Sequence, residues 1–232
     1  MSSMPTDRLP EGDEKRAAVR SMFDTIAPRY DLVNRIMTFR LDVRWRRIAR
    51  ETLGLEPGST VLDLACGTGD FSVDLAERGF LPIGIDLSYG MLAAARTRAP
   101  LVQGDLLQLP LADRTADGAV CGFALRNLVG LEPFFAELAR VLRPGGRIAL
   151  LDVSRPANPV VRWGHGVYFN RVVPRIGGLL SDRGAYGYLP RSVSYLPPPD
   201  ELQAMAGRAG FVDVEHRRLS AGITQLLSAT RP

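Results

Sequence analysis

Lysine is nearly missing from this 232-residue chain: Lys15 stands alone, and every other basic side chain is arginine. That habit reads as codon bias, and no block of five or more like charges accompanies the +4 net charge, so nucleic acid is not an expected partner. Cysteine is scarce too. Cys66 and Cys121 lie far apart in apolar segments with no C-x-x-C, which excludes a disulfide framework and points to buried thiols. His165 and His216, the two histidines, lack ligand spacing, and no metal is expected. No apolar run approaches the roughly 18 residues a spanning helix needs. The first twenty residues hold no apolar stretch of the secretory kind, so a cytoplasmic protein is expected.

What is present is an ordinary globular composition, 46% apolar and 23% charged, enough for one well-filled domain and a small cap. The organising stretch is Thr60-Val61-Leu62-Asp63-Leu64-Ala65-Cys66-Gly67-Thr68-Gly69-Asp70. Apolar residues around Asp63 read as a buried strand, Gly67 and Gly69 as a tight turn, and Asp70 to Ala76 as a helix. Strand, glycine turn and helix start present backbone N–H groups to a nucleotide-like ligand at the carboxyl end of a doubly wound sheet. A plain glycine turn is the competing reading. A dinucleotide is disfavoured, because Ser72 stands where a third fingerprint glycine belongs.

Along the chain, residues 1–14 read as a flexible polar tail and 15–232 as one domain. Residues 15–53 carry helical spacing, with arginines 40, 44, 46, 47 and 50 expected on a solvated face. Leu81–Asp86 reads as the second strand, ending in an acid placed to accept protons from ribose hydroxyls. Ser88–Ala99 reads as a helix and Leu101–Asp105 as the third strand, with Asp105 within reach of an adenine amine and Leu106 as apolar cover. Gly118–Ala124 reads as the fourth strand. A helix follows from Pro133, stopped by Pro144-Gly145-Gly146, then a fifth strand from Arg147 to Val153. Residues 154–196, rich in proline, aromatics and arginine, read as a cap insertion. The tail reads as a helix over 200–209 and a terminal hairpin. The alternation predicts an α/β, Rossmann-like, doubly wound and mostly parallel sheet with a C-terminal antiparallel hairpin.

The D-x-x-x-G-x-G pattern from Asp63 resembles the S-adenosylmethionine (SAM) loop of class I methyltransferases. More specific are Tyr30-Asp31-Leu32-Val33-Asn34 with Arg44-Trp45-Arg46, and Phe123-Ala124-Leu125-Arg126-Asn127 running into Arg140-Val141-Leu142-Arg143-Pro144-Gly145-Gly146-Arg147. Together these resemble the UbiE/MenG family of quinone-biosynthesis C-methyltransferases. The resemblance implies methyl transfer from SAM to a ring carbon of demethylmenaquinol or a related prenylated hydroquinone. It implies cofactor contacts at Thr68, Asp86, Asp105, Leu106 and Gly122 beside the loop residues Asp63, Gly67 and Gly69. It further implies a substrate-side role for Arg126 and Asn127, with Tyr30 closing the site. The chain departs from the family at Arg40 and Ala124, where glycine is usual, at Gly122, where serine is usual, and in its ending, which lacks the family's histidine.

The chemistry is consistent with those residues. A phenol of pKa near 10 sits about three units, roughly 4 kcal/mol, from ionisation at pH 7, and a nearby cation lowers such a pKa by about 1–3 units. Arg126 is the expected cation, and Asn127 the expected holder of the hydroxyl or of a proton-accepting water. Arg126 as a plain ion pair at the sheet edge is the alternative. A polyprenylated acceptor implies peripheral contact with the inner face of a membrane, through arginines 162, 171 and 175 and those near 44–50. A homodimer is left open. Competing functions are a SAM-dependent methyltransferase of a soluble aromatic metabolite and a SAM-binding module without catalysis.

Overall fold

The computed structural model describes residues 10–180 and 182–232. Three helices come first, α1 (Gly12–Ile26), α2 (Tyr30–Thr38) and α3 (Leu41–Leu53), with a 3₁₀ turn at Ala27–Arg29 where Pro28 interrupts the run. Then come β1 (Thr60–Leu64), α4 (Asp70–Ala76), β2 (Leu81–Asp86), α5 (Tyr89–Ala93), β3 (Leu101–Gln103), β4 (Ala116–Gly122), α6 (Leu131–Val141) and β5 (Leu142–Val153). Helices α7 (Pro159–Val167), α8 (Val173–Leu180) and α9 (Arg183–Ser192) occupy the stretch expected as a cap insertion, with a π-helical turn at Tyr168–Val172. The chain closes with α10 (Pro199–Arg208), β6 (Val212–Leu219) and β7 (Thr224–Thr230).

The sheet order is β3-β2-β1-β4-β5-β7-β6, parallel except for β7, which runs antiparallel to β5 and to β6. This is the doubly wound sheet with a terminal hairpin that the sequence pattern predicts. Period-two alternation divides β1 between the layers. Leu62 and Leu64 pack with Phe134, Phe135 and Leu138 of α6 and Leu202 of α10. Val61 packs on the other face with Trp45 and Leu53 of α3 and Phe71 and Leu75 of α4. A third apolar cluster joins Met22 and Ile26 of α1, Val33 of α2, Met91 of α5 and Tyr188 of α9, so the N-terminal helices and the insertion pack together.

Several expected boundaries move, each for a local reason. The tail expected over 1–14 lies largely outside the described residues, and α1 already begins at Gly12. The helix expected over Ser88–Ala99 stops at Ala93, because the following backbone turns to brace the glycine loop: Arg96 N–H donates to the Thr68 carbonyl at 3.0 Å. The fourth strand ends at Gly122, where Phe123 adopts φ +64° and turns the chain away. Pro144-Gly145-Gly146 does not stop α6. It lies within β5, where Gly145 N–H reaches the Arg231 carbonyl and Arg231 N–H the Gly146 carbonyl, both at 2.8 Å. Among the arginines expected on a solvated face, Arg46 and Arg50 are instead drawn inward, Arg50 to Asp74 at 2.8 Å and Arg46 to Asp42 at 2.6 Å.

Candidate active site

The loop after β1 is bent sharply by positive φ at Ala65 (+52°), Gly67 (+55°) and Gly69 (+86°). A Cβ at Gly69 would stand 2.7 Å from Thr97 Cγ2, so both conformation and space call for glycine there. At Gly67 a Cβ would meet nothing within 4 Å, so the backbone there faces open space. Ala65 and Phe123 hold left-handed conformations without glycine's freedom, at the carboxyl ends of adjacent strands, which is where strain collects around ligand sites.

Asp86, at the tip of β2, accepts Gly67 N–H and Ser88 N–H on its two oxygens, each at 2.8 Å, and so locks the loop to the strand. With Leu87 N–H also engaged, the carboxylate keeps at least one further lone pair. Burial pushes its carboxyl above the usual range, against the pull of those backbone bonds. Asp63 shares the β1 face that looks toward α4 and accepts the Ser72 hydroxyl at 2.6 Å. Burial raises it to about 7 despite that bond. Thr68 donates its hydroxyl to Asp31 of α2 at 2.5 Å, tying the loop to the N-terminal helices. Asp105 is engaged on both oxygens, by Leu107 N–H at 3.0 Å and by the Arg16 guanidinium of α1 at 2.5 Å.

Three adjoining hollows open above these groups. One, about 810 Å³, is bordered by Asp86, Asp105, Leu106, Gly122 and Asn127. A small one of about 440 Å³ is bordered by Asp63, Gly67, Thr68 and Gly122 together with Arg46 and Asp70. The largest, about 1090 Å³ and mostly apolar, is bordered by Arg126, Trp45, His165, Tyr168 and Phe169. Tyr30 and Phe123 border all three and mark their junction. Desolvation raises the Tyr30 phenol to about 12, so it stays protonated and able to donate.

Arg126 sits in a 3₁₀ turn, Leu125–Asn127, just past the strained Phe123. Its Nη1 donates to Asp152 Oδ1 at 2.5 Å and to the Phe123 carbonyl, its Nε to Ser192 at 3.2 Å, and its backbone N–H to Asp152 Oδ2 at 3.0 Å. The guanidinium expected as the cation beside the acceptor is half of a buried ion pair, the pairing that the alternative reading names. Among the described residues Nη2 has no recorded partner. Asn127 Oδ1 is likewise buried with no partner among the described residues.

The structure thus gathers Tyr30, Asp63, Gly67, Thr68, Asp86, Asp105, Leu106, Gly122, Arg126 and Asn127 around these adjoining hollows, with Gly69 as the N-cap of α4. Sequence reasoning missed Asp152, Asp31 and Arg16, the partners of Arg126, Thr68 and Asp105. Each lies 26 or more residues from its partner, with no local signal to pair them.

A glycine loop after the first strand, acids ending the next two strands and this sheet order define a class I SAM-dependent methyltransferase. The fold is shared with a SAM-dependent methyltransferase from Thermotoga maritima (TM-score 0.66, 18% identity, 92% of this chain and 99% of that one). It is shared too with phosphoethanolamine N-methyltransferase 2 of Haemonchus contortus, solved with SAM bound (TM-score 0.59, 14% identity, 81% and 52%). More particularly, the chain belongs to the ubiE/COQ5 methyltransferase family, whose model matches residues 11–231. Similar relatives include a ubiquinone/menaquinone biosynthesis C-methyltransferase from Syntrophotalea carbinolica, 42% identical over 91% of this chain and 93% of that one. Another is a demethylmenaquinone methyltransferase from Roseiflexus castenholzii, also 42% identical, covering 94% and 95%.

Proposed function

We propose that this chain methylates a ring carbon of a prenylated hydroquinone with SAM, turning demethylmenaquinol into menaquinol. The observation that carries the reading is the junction at Tyr30 and Phe123, where a cleft bordered by Asp86 and Asp105 meets a large apolar chamber with one arginine in its wall. The names borne by the similar relatives support the acceptor.

The residues present fit SAM. Asp86 offers lone pairs to ribose hydroxyls, Asp105 and Leu106 suit an adenine, and Asp63 in the small hollow suits an ammonium end, Asp70 beside it being already paired with Arg35 and Arg46. When bound, SAM supplies an electrophilic methyl carbon.

The chain's own part lies on the acceptor side. Trp45, Tyr168 and Phe169 give an aromatic ring and its apolar tail a dry wall. Arg126 contributes a directed donor, Nη2, since Asp152 balances its charge; hydrogen bonding to the phenolate rather than bare Coulomb attraction stabilises the ionised ring. Tyr30, protonated, donates at the junction, and Asn127 Oδ1 accepts a hydrogen bond from the hydroxyl or from the water that takes its proton. The ring's electron pair would form the new carbon–carbon bond as the methyl–sulfur bond breaks, and the proton on that carbon would then pass to water to restore aromaticity. Holding both reactants in line supplies up to about 7–11 kcal/mol.

Among the described residues no helix is long and apolar enough to cross a membrane. A polyprenylated acceptor therefore asks this chain to visit a bilayer, and the arginine-bearing insertion supports peripheral contact.

The test is incubation of the protein with methyl-labelled SAM and a panel of reduced and oxidised naphthoquinones, benzoquinones and soluble phenols. Label entering the reduced naphthoquinone ring supports the reading. Label entering soluble phenols alone overturns it.

A further inference from the structure

The large chamber is walled by short helices whose outer faces are also apolar. On α2, Leu32 and Ile36 are exposed at 57% and 41%, and beyond its end Phe39 and Val43 are exposed at 73% and 46%. On α7, Val160, Trp163 and Val167 are exposed at 76%, 73% and 37%, spaced to share one stripe. These two segments hold seven of the eleven large apolar side chains exposed among the described residues. They meet where the Phe39 and Tyr168 rings lie 5.7 Å apart and the Tyr168 hydroxyl donates to the Met37 carbonyl at 2.8 Å. Phe39, Met37 and Tyr168 also border the chamber, so the exposed stripes flank its mouth.

Charge selects the occupant. Between Asp31 and Asp42 the sequence carries Arg35 and Arg40 and no acid; between Asp152 and Asp182 it carries arginines 155, 162, 171 and 175 and no acid. Arg35 pairs with Asp70 at 3.2 Å, but no ion pair ties arginines 40, 155, 162, 171 and 175 to a carboxylate among the described residues, and exposed aromatic and aliphatic groups set among such arginines match the interface of an anionic bilayer, where a tryptophan ring settles at headgroup depth. A protein partner of mixed charge would find no carboxylate here to answer its own cations.

We propose that this face is a membrane-docking surface: Phe39, Val160 and Trp163 insert into an anionic bilayer and set the chamber mouth against the lipid, so that a prenyl tail passes from bilayer to active site without crossing water. The inference deepens the proposed function and rests on it for the tail, while docking itself is measured without turnover.

The full chain is mixed with vesicles of phosphatidylcholine alone or with about one-third phosphatidylglycerol, at low and high salt. Trp45 is 5% exposed, so a change in tryptophan emission reports Trp163. The account expects a blue shift and co-sedimentation with the anionic vesicles, weakened by salt. Val160→Ser with Trp163→Ser is expected to weaken binding roughly tenfold or more, both sites being exposed and so of little consequence for folding. That double variant keeps wild-type turnover on a short-tailed, water-soluble naphthoquinol and loses it on a long-tailed quinol in vesicles. An unshifted spectrum with the protein in the supernatant overturns the proposal. So does undiminished vesicle binding by the double variant, or a concentration-dependent dimer that shields Trp163 without lipid. Failure of every quinol to accept label, with docking intact, would instead count against the proposed function alone.

Discussion

Arg126 and Asp152 face each other at 2.5 Å across the end of β5, with Asp152 wholly buried and Arg126 6% exposed. The carboxylate also accepts the Arg126 and Val153 backbone N–H groups, so it positions the 3₁₀ turn as well as balancing its charge.

Breaking such a pair strands a charge, at a cost of about 3–5 kcal/mol, whereas removing both halves costs much less. Asp152→Leu and Arg126→Leu are each expected to lower the denaturation midpoint markedly. The double variant with Asp152→Leu should lose less than the two losses summed. A double-mutant cycle by urea unfolding reads the coupling directly.

Asp63 makes stability depend on pH. Its folded pKa of about 7 lies above the ordinary 3.8, so the folded state holds its proton after the unfolded chain has released it. The stability it lends is fully present below about pH 4 and is lost as pH rises through 7, by up to about 4 kcal/mol. Asp63→Asn should flatten that slope in thermal melts between pH 4.5 and 8. A cationic ligand end near Asp63 favours the ionised form, so SAM binding should release a proton and tighten from pH 6 to pH 8, which calorimetry in buffers of different ionisation enthalpy measures.

Arg40 is held at φ +61° directly after Phe39 at +51°. A side chain in the left-handed region costs about 1–2 kcal/mol, part of which glycine's greater unfolded entropy returns. Arg40→Gly is therefore expected to stabilise by about 0.5–1 kcal/mol in chemical denaturation, with turnover on a soluble acceptor unchanged.

The Arg16–Asp105 ion pair, between partly exposed side chains, carries little stability, under about 1 kcal/mol. Asp105→Ala should leave the melting temperature nearly unchanged while weakening SAM binding roughly tenfold, through loss of an acceptor for the adenine amine. Equilibrium binding of SAM beside a thermal melt separates the two effects.

The fold was legible because its signals are local and repeated. Val61, Leu62 and Leu64 can only be a buried strand, Gly67 and Gly69 can only turn, and Asp86 ends its strand at the spacing a nucleotide site requires. What escaped is what distance along the chain conceals. Nothing near Arg126 announces Asp152, 26 residues later, and nothing near Ser88 says that residues 94–99 will leave the helix to brace Thr68. Arg46 and Arg50 read as solvated because helical periodicity places a side chain on a face without saying that Asp42, Asp70 and Asp74 wait beside it.

The most direct measurement is a comparison of wild-type and Arg126→Gln proteins, each with methyl-labelled SAM and reduced demethylmenaquinone, reading label at the ring carbon alongside SAM affinity. The account predicts ring methylation by the wild type and a loss of about a hundredfold or more in the variant, as when one donor to a developing oxyanion is removed, with SAM affinity retained. Equal turnover by both proteins, or label on an oxygen instead of a ring carbon, would contradict it.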